Sequence, residues 1–142
     1  MKKVNIIYWS GTGNTEAMAS LISEGAKEKG ADVALLNVAE ASNDDITDAD
    51  IVALGSPAMG DEVIEESEME PFIESAADVL KGKKVALFGS YGWGSGQWME
   101  DWTQKMEQDY GADVINDGLI VNEAPEGEAE EECRDFGRDL AN

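Results

Sequence analysis

What this sequence has little of narrows its chemistry before any motif is read. It carries one cysteine, Cys133, and no CxxC pair. An internal disulfide is therefore excluded, and a reducing, cytoplasmic setting is the expectation. Cationic side chains are scarce: ten lysines and arginines stand against thirty-one aspartates and glutamates, a formal net charge of −21. Nucleic acid and anionic membrane surfaces are poor partners for such a chain, because phosphate is held through cationic side chains. No apolar run approaches the ~20 residues that a membrane span requires. The basic opening Met1-Lys2-Lys3-Val4-Asn5 leads into an apolar stretch too short for a signal peptide. Linkers, internal repeats and low-complexity tracts are missing as well.

What is there suffices for a packed core. A length of 142 residues fits one domain spanning residues 1–142, able to bury roughly 70% of its unfolded surface. The 42% apolar content is ordinary for a globular protein. A folded protein this acidic is expected to associate with basic surfaces at salt-sensitive rates. Solubility or adaptation to salt is the competing explanation of its charge.

Short apolar runs alternate with amphipathic stretches along the chain. The runs are Val4–Trp9, Val33–Val38, Ile51–Leu54, Val85–Phe88 and Val114–Val121, the last with a polar middle. Several are too continuous for half-exposed strands, which suits a sheet covered on both faces. Between them, Met18, Leu21, Ile22 and Ala26 make one helical stripe, and Phe72, Ile73, Ala76, Val79 and Leu80 a second. Trp98, Met99, Trp102 and Met106 suggest a helix after Gly96, and Ala129, Cys133, Phe136, Gly137 and Leu140 a last one. That last helix has acids at its start and Arg134 and Arg138 near its end, as a helix dipole prefers. Cys133 falls on its apolar stripe and reads as packing. Alternation of strand and helix predicts an α/β fold with an open parallel sheet and helices on both faces. Ligands of such folds sit beyond the carboxyl ends of the strands, so the loops after runs one, three, four and five are the ones to inspect.

Loop one is Ser10-Gly11-Thr12-Gly13-Asn14-Thr15. Its glycines let a ligand approach the backbone, and the following helix offers unpaired N–H groups at its positive end. Hydroxyls on Ser10, Thr12 and Thr15 and the Asn14 amide add donors. No GK[ST] follows, and Glu16 stands where a dinucleotide fingerprint needs its third glycine. A terminal monophosphate held by neutral donors remains; a capped turn without ligand is the plainer reading. Loop three, Gly55-Ser56-Pro57-Ala58-Met59-Gly60-Asp61-Glu62, suits a tight turn whose Gly60–Asp61 peptide can flip at little cost, or it is simply a connector. Loop four, Gly89-Ser90-Tyr91-Gly92-Trp93-Gly94-Ser95-Gly96, sets Trp93 between two glycines. An aromatic on a loop at the ligand edge suggests stacking on a planar ring, the alternative being a cover for the end of the sheet.

In this order and spacing, SGTGNT, GSPAMGDE and GSYGWG resemble the three flavin-mononucleotide (FMN) loops of the short-chain flavodoxins of anaerobic bacteria. The resemblance covers essentially the whole chain, and the last strand lacks the long insertion of the long-chain type. It implies a flavodoxin-like, doubly wound, five-stranded parallel sheet of order 2-1-3-4-5, flavodoxin itself being a standard example of that order. It also implies roles. Ser10, Thr12, Asn14 and Thr15, with the backbone at Gly11 and Gly13, would hold the FMN phosphate. The second loop would contribute Pro57, Ala58, Met59, Gly60, Asp61 and Glu62. There Met59 would cover the inner ring face, the Gly60 carbonyl would accept from flavin N5–H, and Glu62 would meet N3–H. Pro57 departs from the pattern, since some relatives carry a hydroxyl there and proline offers neither O–H nor N–H. Ser90, Tyr91, Gly92, Trp93 and Gly94 would form the third loop. Trp93 would cover the outer face and Tyr91 would support the loop, with backbone N–H groups near Asp61 and Gly92 serving the ring oxygens. No catalytic residue and no metal site is implied.

The cofactor would carry the chemistry and the protein would tune it. Histidine is absent from the chain, and the three loops contain no lysine or arginine to neutralise a second electron. Asp61, Glu62, Glu65, Glu66 and the phosphate would all oppose it. A unit charge at ~7 Å in an effective dielectric of ~20 contributes roughly 2.4 kcal/mol, on the order of 100 mV toward lower potential, before solvent screening. The expectation is therefore a low-potential one-electron carrier, not an enzyme, cycling between semiquinone and hydroquinone. It would act as a monomer and serve ferredoxin-type partner enzymes with basic docking surfaces, much of its own docking face coming from the acids of 61–74. Alternatives on the same fold are a flavin reductase and a dedicated metalloenzyme activator. A phospho-acceptor signalling domain is a further rival, but Asp44-Asp45 precede strand three, and Gly55-Ser56 stand at its end.

Overall fold

The computed structural model describes residues 2–59, 63–92, 94–115 and 118–142. The apolar runs form one parallel sheet. Strands β1 (Lys3–Tyr8), β2 (Asp32–Asn37), β3 (Ile51–Gly55) and β4 (Lys84–Tyr91) lie in the order β2-β1-β3-β4. The fifth position is shared by two short strands, giving a six-stranded sheet in place of the expected five. β5 (Asp113–Val114) pairs with the start of β4 at Lys84 and Val85, and β6 (Leu119–Asn122) with its end from Phe88 to Tyr91. β5 ends at Val114 and β6 begins at Leu119, on either side of the polar middle of the fifth run, whose Asn116 and Asp117 lie outside the described residues.

β3 is buried along its whole length, as its continuous apolar run predicts. β2 is an edge strand and only partly covered, with Leu35 at 39% exposure, although Leu36 packs against one core and Val33 against the other. Because strand side chains alternate between faces, two cores form. Ile7, Val52, Leu54, Val85 and Leu87 face one of them. They pack with residues of α3 (Met69–Ser75), α4 (Ala77–Leu80) and α5 (Gln97–Gln108), including Met69, Ile73, Leu80, Trp98, Trp102 and Met106. Val4, Ile6, Tyr8, Ala53, Ala86 and Phe88 face the other, with Met18 and Ile22 of α1 (Asn14–Glu28) and Cys133, Phe136 and Leu140 of α6 (Glu128–Ala141). The remaining short helix, α2 (Asp44–Thr47), covers the approach to β3.

Helices α1 and α6 cross backbone to backbone. A Cβ on Gly25 would lie 1.9 Å from the Arg134 carbonyl oxygen, and one on Gly137 would lie 1.9 Å from that of Ile22. The stripe from Phe72 to Leu80, expected as one helix, is two: α3 ends at Ala76, whose N–H is shared between the carbonyls of Phe72 and Ile73. Among the described residues no helix is long and apolar enough to cross a membrane.

Candidate functional site at the sheet switch point

The chain leaves β1 outward to β2 on one side and to β3 on the other, so a crevice opens where the two windings diverge. A cavity of about 650 Å³ occupies it, within the usual range for small-ligand pockets. Its walls come from four loops: Trp9–Thr12 with Asn14 and Thr15, Pro57–Met59, Ser90–Gly92, and Asn122–Ala124 with Glu126.

Loop one reaches the cavity because α1 starts there. Gly13 precedes it with φ 97°, a left-handed conformation that glycine adopts without steric cost. No side chain caps this helix, so its first N–H groups face the crevice side with the dipole's positive end. The Ser10 hydroxyl accepts from Gly13 N–H at 3.1 Å, which leaves its own O–H to donate outward. Thr15 is buried, with Oγ1 3.2 Å from Ser90 Oγ, tying this loop to the end of β4. Thr12 and Gly11 are exposed on the rim, and a Cβ on Gly11 would stand 2.9 Å from the Trp9 indole.

Loop three is fastened on both sides of the cavity wall. Ala58 N–H donates to the Ser90 carbonyl at 3.0 Å and Met59 N–H to that of Val63 at 2.9 Å. Behind them, the buried Ser56 hydroxyl accepts from Glu65 N–H at 2.9 Å and donates to the Pro57 carbonyl at 3.1 Å. Gly60, Asp61, Glu62 and Trp93, which carry several of the expected roles, lie outside the described residues. Tyr91 leans its ring on buried Trp98, centroids 5.6 Å apart, and also lines the cavity. Gly94 is exposed, and neither Gly94 nor Gly13 is part of the cavity wall.

The cavity also contains residues that the sequence reading passed over. Trp9 contributes a wall, and its Nε1–H donates to Glu68 Oε1 at 3.1 Å. Asn122, Glu123, Ala124 and Glu126 close the side beyond β6. Glu123 N–H and Asn122 Nδ2–H both donate to the Tyr91 carbonyl, at 2.7 and 3.2 Å, and Glu123 takes φ 58°. A positive φ off glycine is uncommon and clusters at functional loops. The strand order pointed to this loop, but it holds no glycine or hydroxyl cluster to mark its residues.

The site's electrostatics are one-sided. Among its described lining residues there is no base, while Glu123 and Glu126 bring carboxylates. A different cavity, of about 520 Å³, holds Lys2, Lys81, Lys83 and Lys84 at the amino ends of β1 and β4, the far side of the sheet. Tyr8, just before Trp9, has its phenol pushed up by burial and by the Glu16 carboxylate that accepts its O–H at 2.9 Å. Asp45, one of the pair that suggested a phospho-acceptor, is committed elsewhere: its carboxylate accepts from Ser42 N–H and its carbonyl from Asn5 Nδ2–H. Among the described residues no cluster could hold a metal ion.

Neutral hydroxyl, amide and helix-end donors at one end suit a phosphate dianion that no cation neutralises. Apolar Trp9, Ala58, Met59 and Tyr91 beside them suit the body of a planar, ribose- or ribityl-linked ligand. The fold and site therefore define a doubly wound mononucleotide-binding α/β protein. The family model for flavodoxin matches residues 6–137. The chain is 53% identical over 139 residues to the flavodoxin of Clostridium beijerinckii, covering 98% of this chain and 99% of that one. It is 51% identical over 138 residues to that of Megasphaera elsdenii, covering 97% and 98%. The solution structure of the two-electron reduced Megasphaera elsdenii flavodoxin superposes with a TM-score of 0.89, over 97% of this chain and 98% of that one. The chain belongs to the flavodoxin family, FMN-binding electron carriers rather than enzymes.

Proposed function

We propose that this flavodoxin is a low-potential one-electron carrier whose FMN lies in the switch-point cavity, phosphate toward loop one and ring toward loops three and four. The observation that carries the proposal is the lining of that cavity: neutral donors at one end, apolar walls beside them, carboxylates at the rim and no base among the described residues.

FMN, when bound, supplies the one-electron chemistry. Ser10, Thr12 and Thr15 would donate O–H, and Asn14 N–H, to the phosphate, helped by the uncapped start of α1. These contacts hold a dianion without cancelling its charge. Pro57, Ala58 and Met59 would form the inner wall, Met59 against the ring, and Trp93 would cover the other face. The Gly60 carbonyl would accept from ring N5 when that nitrogen carries a proton, and Glu62 would accept from N3. Backbone N–H groups near Asp61 and Gly92 would serve the ring oxygens, while Tyr91 and Ser90 brace the loop from behind. Trp9, Asn122, Glu123, Ala124 and Glu126 join this set as walls. Asp61, Glu62, Glu123 and Glu126 with the phosphate disfavour added negative charge on the ring, which lowers the potential for the second electron.

Partners would be redox enzymes with basic docking surfaces. Glu123 and Glu126 stand at the cavity's rim, while four lysines with Asp50 line the cavity at the opposite end, which favours approach of a basic partner to the end that would hold the cofactor. A monomer in the cytoplasm fits a carrier that must meet several enzymes. The test compares apoprotein binding of FMN and riboflavin, followed by quenching of flavin fluorescence. FMN should bind far more tightly, because only it offers the phosphate to loop one. Equal affinities would move the phosphate elsewhere, and no uptake of either would remove the flavin from the cavity.

A further inference from the structure

Glu65 is an ionisable residue buried to 3% exposure, outside the cavity wall, and beyond its negative charge nothing assigned so far uses its side chain. Its carboxylate meets only donors. Oε1 accepts from Glu68 N–H at 2.7 Å and from Met69 N–H at 2.9 Å, the first groups of α3. Oε2 accepts from Ser67 N–H at 2.8 Å and from the Ser67 hydroxyl. Its own N–H donates to Ser56 Oγ, and its carbonyl accepts from Glu70 N–H at 3.0 Å. Burial pushes this carboxyl up, but the hydrogen bonds from Ser67, Met69 and Glu68 outweigh it and leave it below its ordinary value.

This knot joins two walls of the cavity. Through the Glu65 backbone N–H on Ser56 it reaches Pro57 and the Ala58–Met59 segment. Through Glu68, whose Oε1 accepts from Trp9 Nε1–H, it reaches the wall beside the phosphate loop. A buried group with every lone-pair direction engaged rigidifies what it touches, and removing it strands several donors at once.

We propose that Glu65 is a positioning residue for the redox site: its buried carboxylate, held by residues 67–69, fixes the stretch of backbone whose N–H holds Ser56, and so steadies the Ser56–Met59 wall that loop three presents to the ring when the first electron arrives. The inference rests on the reading of the cavity as the FMN site. A replacement that frees the wall weakens contacts that tighten on reduction and lowers the potential of the first electron. A pure loss of charge acts differently, since it raises the potential of the second electron, which adds negative charge to the ring.

The test measures both one-electron potentials of the FMN-loaded protein for wild type, Glu65→Gln and Ser56→Ala. Glu65→Gln keeps the shape but turns an NH2 group toward donors; Ser56→Ala cuts the tie without altering charge. The first potential should fall in both variants by the equivalent of at least a tenfold change in equilibrium constant, about 59 mV. An unchanged first potential in either folded variant overturns the proposal. So does a rise confined to the second potential of Glu65→Gln, which would make its role one of charge. Should Glu65→Gln fail to fold, Ser67→Ala, which removes one donor to the carboxylate, takes its place beside Ser56→Ala, and an unchanged first potential in it overturns the proposal. If the wild type takes up no FMN, it is the cavity reading that fails, not this role for Glu65.

Discussion

Thr15 Oγ1 and Ser90 Oγ meet 3.2 Å apart in a buried contact between the first turn of α1 and the last residues of β4. Residues 75 positions apart are thereby joined where loop one and loop four must converge on a single ligand. The pair links the proposed phosphate end of the site to the strand that carries the loop proposed to face the ring.

Thr15→Val keeps the shape of the side chain but removes the hydroxyl, leaving Ser90 without its partner. A hydrogen bond to a charged group contributes about 1.5–3 kcal/mol, so FMN affinity should fall roughly 10- to 100-fold. Riboflavin affinity should change much less. Fluorescence titration with both flavins measures the contrast, and an equal loss for each would place Thr15's role in folding rather than in phosphate binding.

Gly137→Ala tests whether packing or propensity governs the α1–α6 crossing. Alanine gains up to about 1 kcal/mol over glycine in a helix interior. Its Cβ, however, would lie 1.9 Å from the Ile22 carbonyl oxygen, so the helices must part. Overpacking of this kind costs about 1–3 kcal/mol. Urea unfolding of the apoprotein should show a net loss of stability; a gain would mean that the helices separate freely.

Acid should expose the role of Glu65 in stability. Its folded-state pKa lies below the unfolded one, so its contribution is fully present above the unfolded value, about 4.3. It is lost as the pH falls through the folded value. The difference in unfolding free energy between wild type and Glu65→Gln should therefore be constant from neutral pH down to the unfolded value, about 4.3, and shrink on further acidification. Urea melts at a series of pH values measure it, and a difference independent of pH would contradict an ionised, bonded carboxylate.

Cys133 should be inert while the protein is folded. It is fully buried among α6 packing residues, and burial, with Glu132 adding to it, pushes its thiol up to about 12. Thiolate is the reactive form, so a disulfide reagent at mildly alkaline pH should label it only after denaturant is added. Rapid labelling of the native protein would show that the helix opens locally.

The sequence made much of this architecture legible, for physical reasons. The runs Val4–Trp9, Ile51–Leu54 and Val85–Phe88 are apolar on both faces because two helical layers cover them, and each is a strand where expected. The split of the fifth strand into β5 and β6 was visible only as a polar interval, since pairing to two stretches of β4 is a tertiary matter. Loop one's place at the cavity was legible because glycines and hydroxyls between a strand and a helix mark a turn open to a ligand. Trp9 and Asn122–Ala124 were not: a tryptophan at a strand end looks like core, and Glu123 carries no mark of its positive φ. Glu65 was read only as one charge among many, because its burial depends on Ser56, nine residues away.

The most direct test of the account is stepwise anaerobic reduction of the FMN-loaded protein, with both one-electron potentials followed by visible spectroscopy. Two well-separated steps are expected, with a long-wavelength band that rises and then falls and a second potential far below that of free FMN. A single two-electron step at the potential of free FMN would contradict it.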